Sequence, residues 1–142
     1  MVRSLSSADW YKSKGSHNLI ATHSGDGTVD AKYTESEIYI TITGLAAGES
    51  VTINTPLDFR LLDFNALCGA SVSSRVLTLK NGSNTVEALD AVTTSTMYRA
   101  DSLDKDYLEW NKDNNDLILA ASGGSGDSDF FVTLTILDIS KL

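Results

Sequence analysis

Isoleucine occupies every second position from Ile38 to Ile42, and Tyr39, Thr41 and Thr43 hold the positions out of phase. A side-chain period of two matches an extended strand with one face on a core and the other turned away, and it does not match a helix. The same alternation returns with Val51 and Ile53, with Leu77 and Leu79, and with Phe130, Val132, Leu134 and Ile136. Between these stretches lie clusters built for turns: Ser24-Gly25-Asp26-Gly27, residues 44–49, Asn81-Gly82 and residues 123–129. Asn-Gly between two alternating runs is the strongest short-range hairpin signal, and turn signals about every ten residues argue for many short antiparallel strands.

Further strands are expected over residues 18–22, 85–89 and 116–121, and one over residues 58–68, where the run Phe59, Leu61, Leu62, Phe64, Leu67 also admits a short helix by periodicity. Residues 91–100 are Thr-rich and read as a strand or a connection. One helix is expected over residues 101–110: Asp101 or Ser102 can cap it, and Leu103, Tyr107 and Trp110 recur at helical spacing. The fold class is therefore all-β: a jelly-roll-like antiparallel β-sandwich with one short helix and an N-terminal arm.

The 142 residues suit one domain, which at this size buries enough surface to fold without a staple. The expected division is an arm over residues 1–17 and a sandwich over 18–142. Residues 1–14 carry Arg3, Lys12 and Lys14 against Asp9, a net of +2, so a total of −8 leaves −10 on the remainder. This slightly basic arm, with Trp10-Tyr11 inside it, is the candidate partner-binding segment, its residues being Arg3, Trp10, Tyr11, Lys12 and Lys14. The acidic body disfavours nucleic acid and anionic lipid as partners. Cys68 is the only cysteine, so no disulfide within the chain holds the fold, and its apolar surroundings in the sequence predict a buried, inert thiol. No apolar stretch is long enough for a helical membrane span, and the N-terminal residues carry no hydrophobic signal segment, so secretion is not expected.

Chemistry finds little to work with. A hydrolytic triad needs a histidine beside a nucleophile and a carboxylate, and only His17 and His23 are available, with no Gly-x-Ser-x-Gly elbow. His17, His23, Asp26 and Asp30 could in principle converge on a zinc ion, and exposed histidines in a loop-rich segment are the simpler reading. Asn111, Asp113 and Asn115 imitate the start of a calcium loop, but its sixth and twelfth positions hold Asp116 and Ser122 where Gly and Glu are required. Gly123-Gly124-Ser125-Gly126 lacks the Lys-Ser/Thr of a phosphate loop. Asp63, between Leu62 and Phe64, is the nearest approach to a perturbed carboxylate, and its phase predicts exposure. No cofactor, metal or catalytic residue is expected. Trp10, Tyr11, Tyr107 and Trp110 are candidates for stacking on sugars, set against the plainer reading that Tyr107 and Trp110 pack the short helix onto the sandwich.

The stretch Arg-Val-Leu-Thr-Leu-Lys-Asn-Gly-Ser-Asn-Thr-Val-Glu-Ala-Leu-Asp over residues 75–90, followed by Arg99-Ala100-Asp101-Ser102-Leu103-Asp104 and closed by residues 117–126 and 130–139, resembles small virion proteins of tailed bacteriophages. The resemblance spans about residues 75–139 and implies a capsid decoration or cement protein. Such a protein binds the major capsid protein on the outer head surface as a homotrimer or homodimer, with no catalytic residues. The implied location is the virion, after synthesis in the host cytoplasm. A host-recognising tail or fibre domain and a carbohydrate-binding module are the alternative expectations.

Overall fold

The computed structural model describes residues 17–69, 74–92, 97–112 and 116–139. Eleven strands appear among them: β1 (His17–His23), β2 (Thr28–Tyr33), β3 (Glu37–Leu45), β4 (Ser50–Asn54), β5 (Phe59–Cys68), β6 (Arg75–Asn81), β7 (Asn84–Val92), β8 (Met97–Arg99), β9 (Glu109–Trp110), β10 (Leu117–Ser122) and β11 (Ser128–Asp138). All the strand pairings among them are antiparallel.

Two sheets form the sandwich, and β1 belongs to both. Its first residues pair with β2 (Leu19↔Ala31) and its last with β4 (Ile20↔Asn54 to His23↔Val51). One sheet runs β1-β2-β3-β11-β5, with β8 and β9 sharing the outer edge of β5; the other runs β1-β4-β10-β6-β7. The core lies between them. Ile38, Ile40, Ile42, Phe64, Phe130, Val132 and Leu134 come from the first sheet; Val51, Ile53, Leu77, Leu79, Leu117 and Leu119 come from the second, and all are buried. These are the in-phase residues of the alternating runs, and burial of each large aliphatic or aromatic side chain contributes about 1.5–3 kcal/mol before entropy is counted.

The Asn81-Gly82 turn joins β6 to β7 with Gly82 at φ +60°, a conformation that a side chain resists. Of residues 58–68, Phe59–Cys68 form a strand and no helix. The β5–β11 register slips once, between Thr135 and Ile136, and this bulge turns both Leu62 and Asp63 away from the core.

The helix expected over residues 101–110 does not form. One 3-10 turn, Lys105–Tyr107, takes its place, capped by Asp104, whose Oδ1 accepts from the Asp106 amide at 3.0 Å. Leu103, Tyr107 and Trp110 do share an inward side, but Glu109 and Trp110 reach it by pairing with Arg60 and Phe59 of β5. The free edge of β5 supplies backbone partners that outbid a short isolated helix. His17, expected as the last residue of the arm, opens β1 opposite Tyr33.

Candidate functional site

In a sheet with aligned register, side chains that share a phase form rows across the strands. On the outer face of the first sheet one row crosses six strands: Asn18, Lys32, Tyr39, Thr133, Asn65 and Arg99 are successive register partners from β1 to β8. Each can donate or accept hydrogen bonds, and at the usual strand spacing the row is about 24 Å long. A parallel row holds Asp30, Thr41, Phe131, Leu67 and Met97. A third holds Glu37, Thr135 and Asp63.

Two aromatic rings stand on this face. Phe131 is 61% exposed and Tyr39 is 41% exposed, on strands directly paired in the sheet. Tyr39 faces Thr133 and Phe131 faces Thr41, so the rings are diagonal neighbours, about 7–8 Å apart at their roots. The Tyr39 hydroxyl donates to the Glu37 carboxylate two residues back along β3, which restrains the ring along its strand. This bond, together with partial burial and the negative charge of Glu37, raises the Tyr39 pKa above its ordinary value of 10. The phenol is therefore neutral at physiological pH.

Cations on the face sit beside carboxylates. Arg99 meets Asp63 at 3.1 Å, Arg60 meets Glu109 at 3.0 Å, and Lys32 lies 3.9 Å from Asp30. The result is a broad surface of hydroxyls, amides and paired charges around two exposed rings. It can stack on an apolar ring face and hydrogen-bond around its rim.

Of the residues singled out in the sequence, Asp30 and Asp63 stand on this face. Arg3, Trp10, Tyr11, Lys12 and Lys14 are outside the described residues. Trp110 is 1% exposed and stacks on Phe59 with centroids 5.0 Å apart and planes 6° from parallel, so it is part of the core and offers no ring to a sugar. Tyr107 is packed against that core. The His17 ring rests 5.2 Å from that of Tyr33, and His23 accepts the Gly25 amide on Nδ1 at 2.9 Å. Among the described residues no three His, Cys, Asp or Glu side chains are grouped to hold a metal ion. Cys68 is buried. Asp63 is not the freely exposed carboxylate its phase predicts: it accepts the Phe64 amide at 2.9 Å and pairs with Arg99. Of the residues that make the outer face, the sequence marks only the phase: Tyr39 and Phe131 are large aromatics on the off-beat of strands whose on-beat is aliphatic or aromatic.

No protein-family model matches the chain, and no curated protein does. Solved structures resemble it at low identity. The N-terminal cellulose-binding domain of Cellulomonas fimi β-1,4-glucanase C is 14% identical, with 86% of this chain and 90% of that one covered and a TM-score of 0.48. A structure described as "CBM4 structure and function" is 16% identical, with coverages of 84% and 94% and a TM-score of 0.45.

Proposed function

We propose that this chain is a non-catalytic carbohydrate-binding module that holds a glycan across the outer face of its first sheet. The observation that supports this reading is the pair of exposed rings, Tyr39 and Phe131, set on a surface whose flanking row, Asn18 to Arg99, consists of hydrogen-bonding side chains. A sugar ring presents an apolar face and a polar rim, and this surface offers a partner to each. The strands hold the side chains in place, so little conformational entropy is lost on binding.

The test is affinity electrophoresis of the chain through gels containing soluble neutral polysaccharides, with hydroxyethylcellulose first because one structural neighbour is a cellulose-binding domain. Retardation by at least one glycan, lost in Phe131→Ala with an unchanged melting temperature, is the expected result. Free migration through every gel removes the reading.

A second reading is the virion one, in which the chain is a decoration protein seated on a capsid. It draws on Phe131, Met97, Leu62 and Leu137, all exposed and all on the first sheet. An apolar face of this kind also suits a protein partner. Under this reading the chain forms a symmetric oligomer and binds capsids through that face and the arm. Light scattering that gives a single-chain mass, with no sedimentation alongside capsids, excludes it.

A further inference from the structure

The face that the glycan reading identifies also carries an anchored ion pair, Arg99 with Asp63. The Arg99 guanidinium is the most exposed charge there, its side chain 74% exposed against 20% for Asp63. It stands at the open end of the long row, opposite Asn65. Asp63 sits two residues along β5 from Asn65, at the bulge that turns it outward, with its carboxylate anchored by the Phe64 amide. Arg99 leans back onto it, with Nη2 3.1 Å from one oxygen and Nε 3.4 Å from the other. The other two cations of the face, Lys32 and Arg60, are likewise beside Asp30 and Glu109.

We infer that Asp63 is a specificity-determining residue: by occupying Arg99 it restricts the face to uncharged glycans and turns away those bearing carboxylates. This rests on the glycan reading above. Such an exposed pair adds little to stability, so stability does not account for it. Its effect on binding is larger. A uronate approaching Arg99 must displace a carboxylate held permanently at its side, at high effective concentration, and must also face the charge of Asp63 itself. Replacing Asp63 with Asn keeps the size and the acceptor for the Phe64 amide, and leaves a free guanidinium fork that takes a carboxylate with two parallel hydrogen bonds.

The experiment compares the full chain with Asp63→Asn, Asp63→Ser, the double variant Asp63→Asn/Arg99→Gln, and a control, Asp116→Asn, that removes an equal charge from an exposed position just before β10. Melting temperatures establish that each is folded. Each is run through gels containing hydroxyethylcellulose or polygalacturonate at low salt. The native chain should be retarded by the neutral polymer and not by polygalacturonate. Asp63→Asn and Asp63→Ser should gain at least tenfold in polygalacturonate affinity, a gain that salt abolishes and that the double variant and the control lack. The inference is overturned if the native chain binds polygalacturonate as well as it binds the neutral glycan. It is also overturned if folded Asp63 variants keep neutral binding and gain nothing, or if Asp116→Asn gains as much. Failure of the native chain to bind any glycan removes the underlying reading instead, a result distinct from all of these.

Discussion

Phe59 and Trp110 lie face to face across the β5–β9 pairing, their rings 5.0 Å apart, and the Trp110 indole N–H reaches the Asp116 carbonyl at 3.3 Å. That carbonyl also accepts the Gly82 amide at 2.9 Å, so the stack is tied to the β6–β7 turn. Trp110→Ala removes the largest fully buried side chain among the described residues. The expected cost is about 3–5 kcal/mol. Thermal unfolding followed by circular dichroism should show a melting temperature lower by something on the order of 10 °C. A change within about 1 °C contradicts the packing role.

Tyr39 and Phe131 are expected to behave in the opposite way. Both are exposed, so alanine at either site should leave stability within about 0.5 kcal/mol. Each substitution should weaken the binding of a retained glycan about tenfold, or ~1.4 kcal/mol, with the double variant weaker still. Isothermal titration calorimetry on the single and double variants checks this.

The Tyr39–Glu37 bond also makes a prediction about pH. The phenol donates to the carboxylate only while protonated, and the pKa of Tyr39 is raised above 10 in the folded chain. The small contribution of the bond is complete below pH 10 and is lost as pH rises through the higher folded value. Ultraviolet difference titration should show the Tyr39 phenol, identified by its loss in Tyr39→Phe, ionising above pH 10. Glu37→Gln, which removes the charge, should bring it back toward 10. An unchanged titration curve in Glu37→Gln would place the cause elsewhere.

Asn81 clips the two sheets together. Buried at the end of β6, its Nδ2 donates to the Glu109 carbonyl at 2.6 Å and to the Tyr107 carbonyl at 3.1 Å, on the segment that β5 captures. Asn81→Ala strands both carbonyls and should cost about 1–3 kcal/mol in urea unfolding. Asn81→Asp should cost at least as much, since it replaces the donor with a carboxylate oxygen that faces two carbonyl acceptors. Variants as stable as the native chain would mean that water satisfies those carbonyls.

Arg75 makes a comparable clamp at the other end of the sandwich. It is fully buried, and its guanidinium donates to the Gly123 carbonyl at 2.7 Å and to that of Gly126. The glycines of that loop are required by geometry: Gly123 has φ +72°, and a Cβ there would lie 2.5 Å from the Ser74 carbonyl oxygen. Arg75→Lys keeps the charge but cannot span both carbonyls, so it should speed hydrogen exchange across residues 123–127 relative to the native chain. Equal exchange rates in the two proteins would exclude the clamp.

What the sequence determined alone is most of the strands and the side of each that faces inward; β2 (Thr28–Tyr33) and β9 (Glu109–Trp110) were not among them. Ile38, Ile40 and Ile42, or Phe130, Val132 and Leu134, can bury themselves together only with the chain extended, and Asn81-Gly82 can turn tightly only between such strands. These are local consequences of side-chain period and backbone freedom. The tertiary structure decided the rest, because it concerns residues far apart in the chain. Whether residues 101–110 coil or pair depended on the vacant edge of β5, which no local pattern announces. Trp110 became core and not ligand surface for the same reason. The outer face exists only through register, which seats Tyr39 beside Thr133, Thr133 beside Asn65 and Asn65 beside Arg99. A slip of one residue in any strand would have turned those side chains inward, so the long-range pairing of β3, β11, β5 and β8 is what assembles the candidate site.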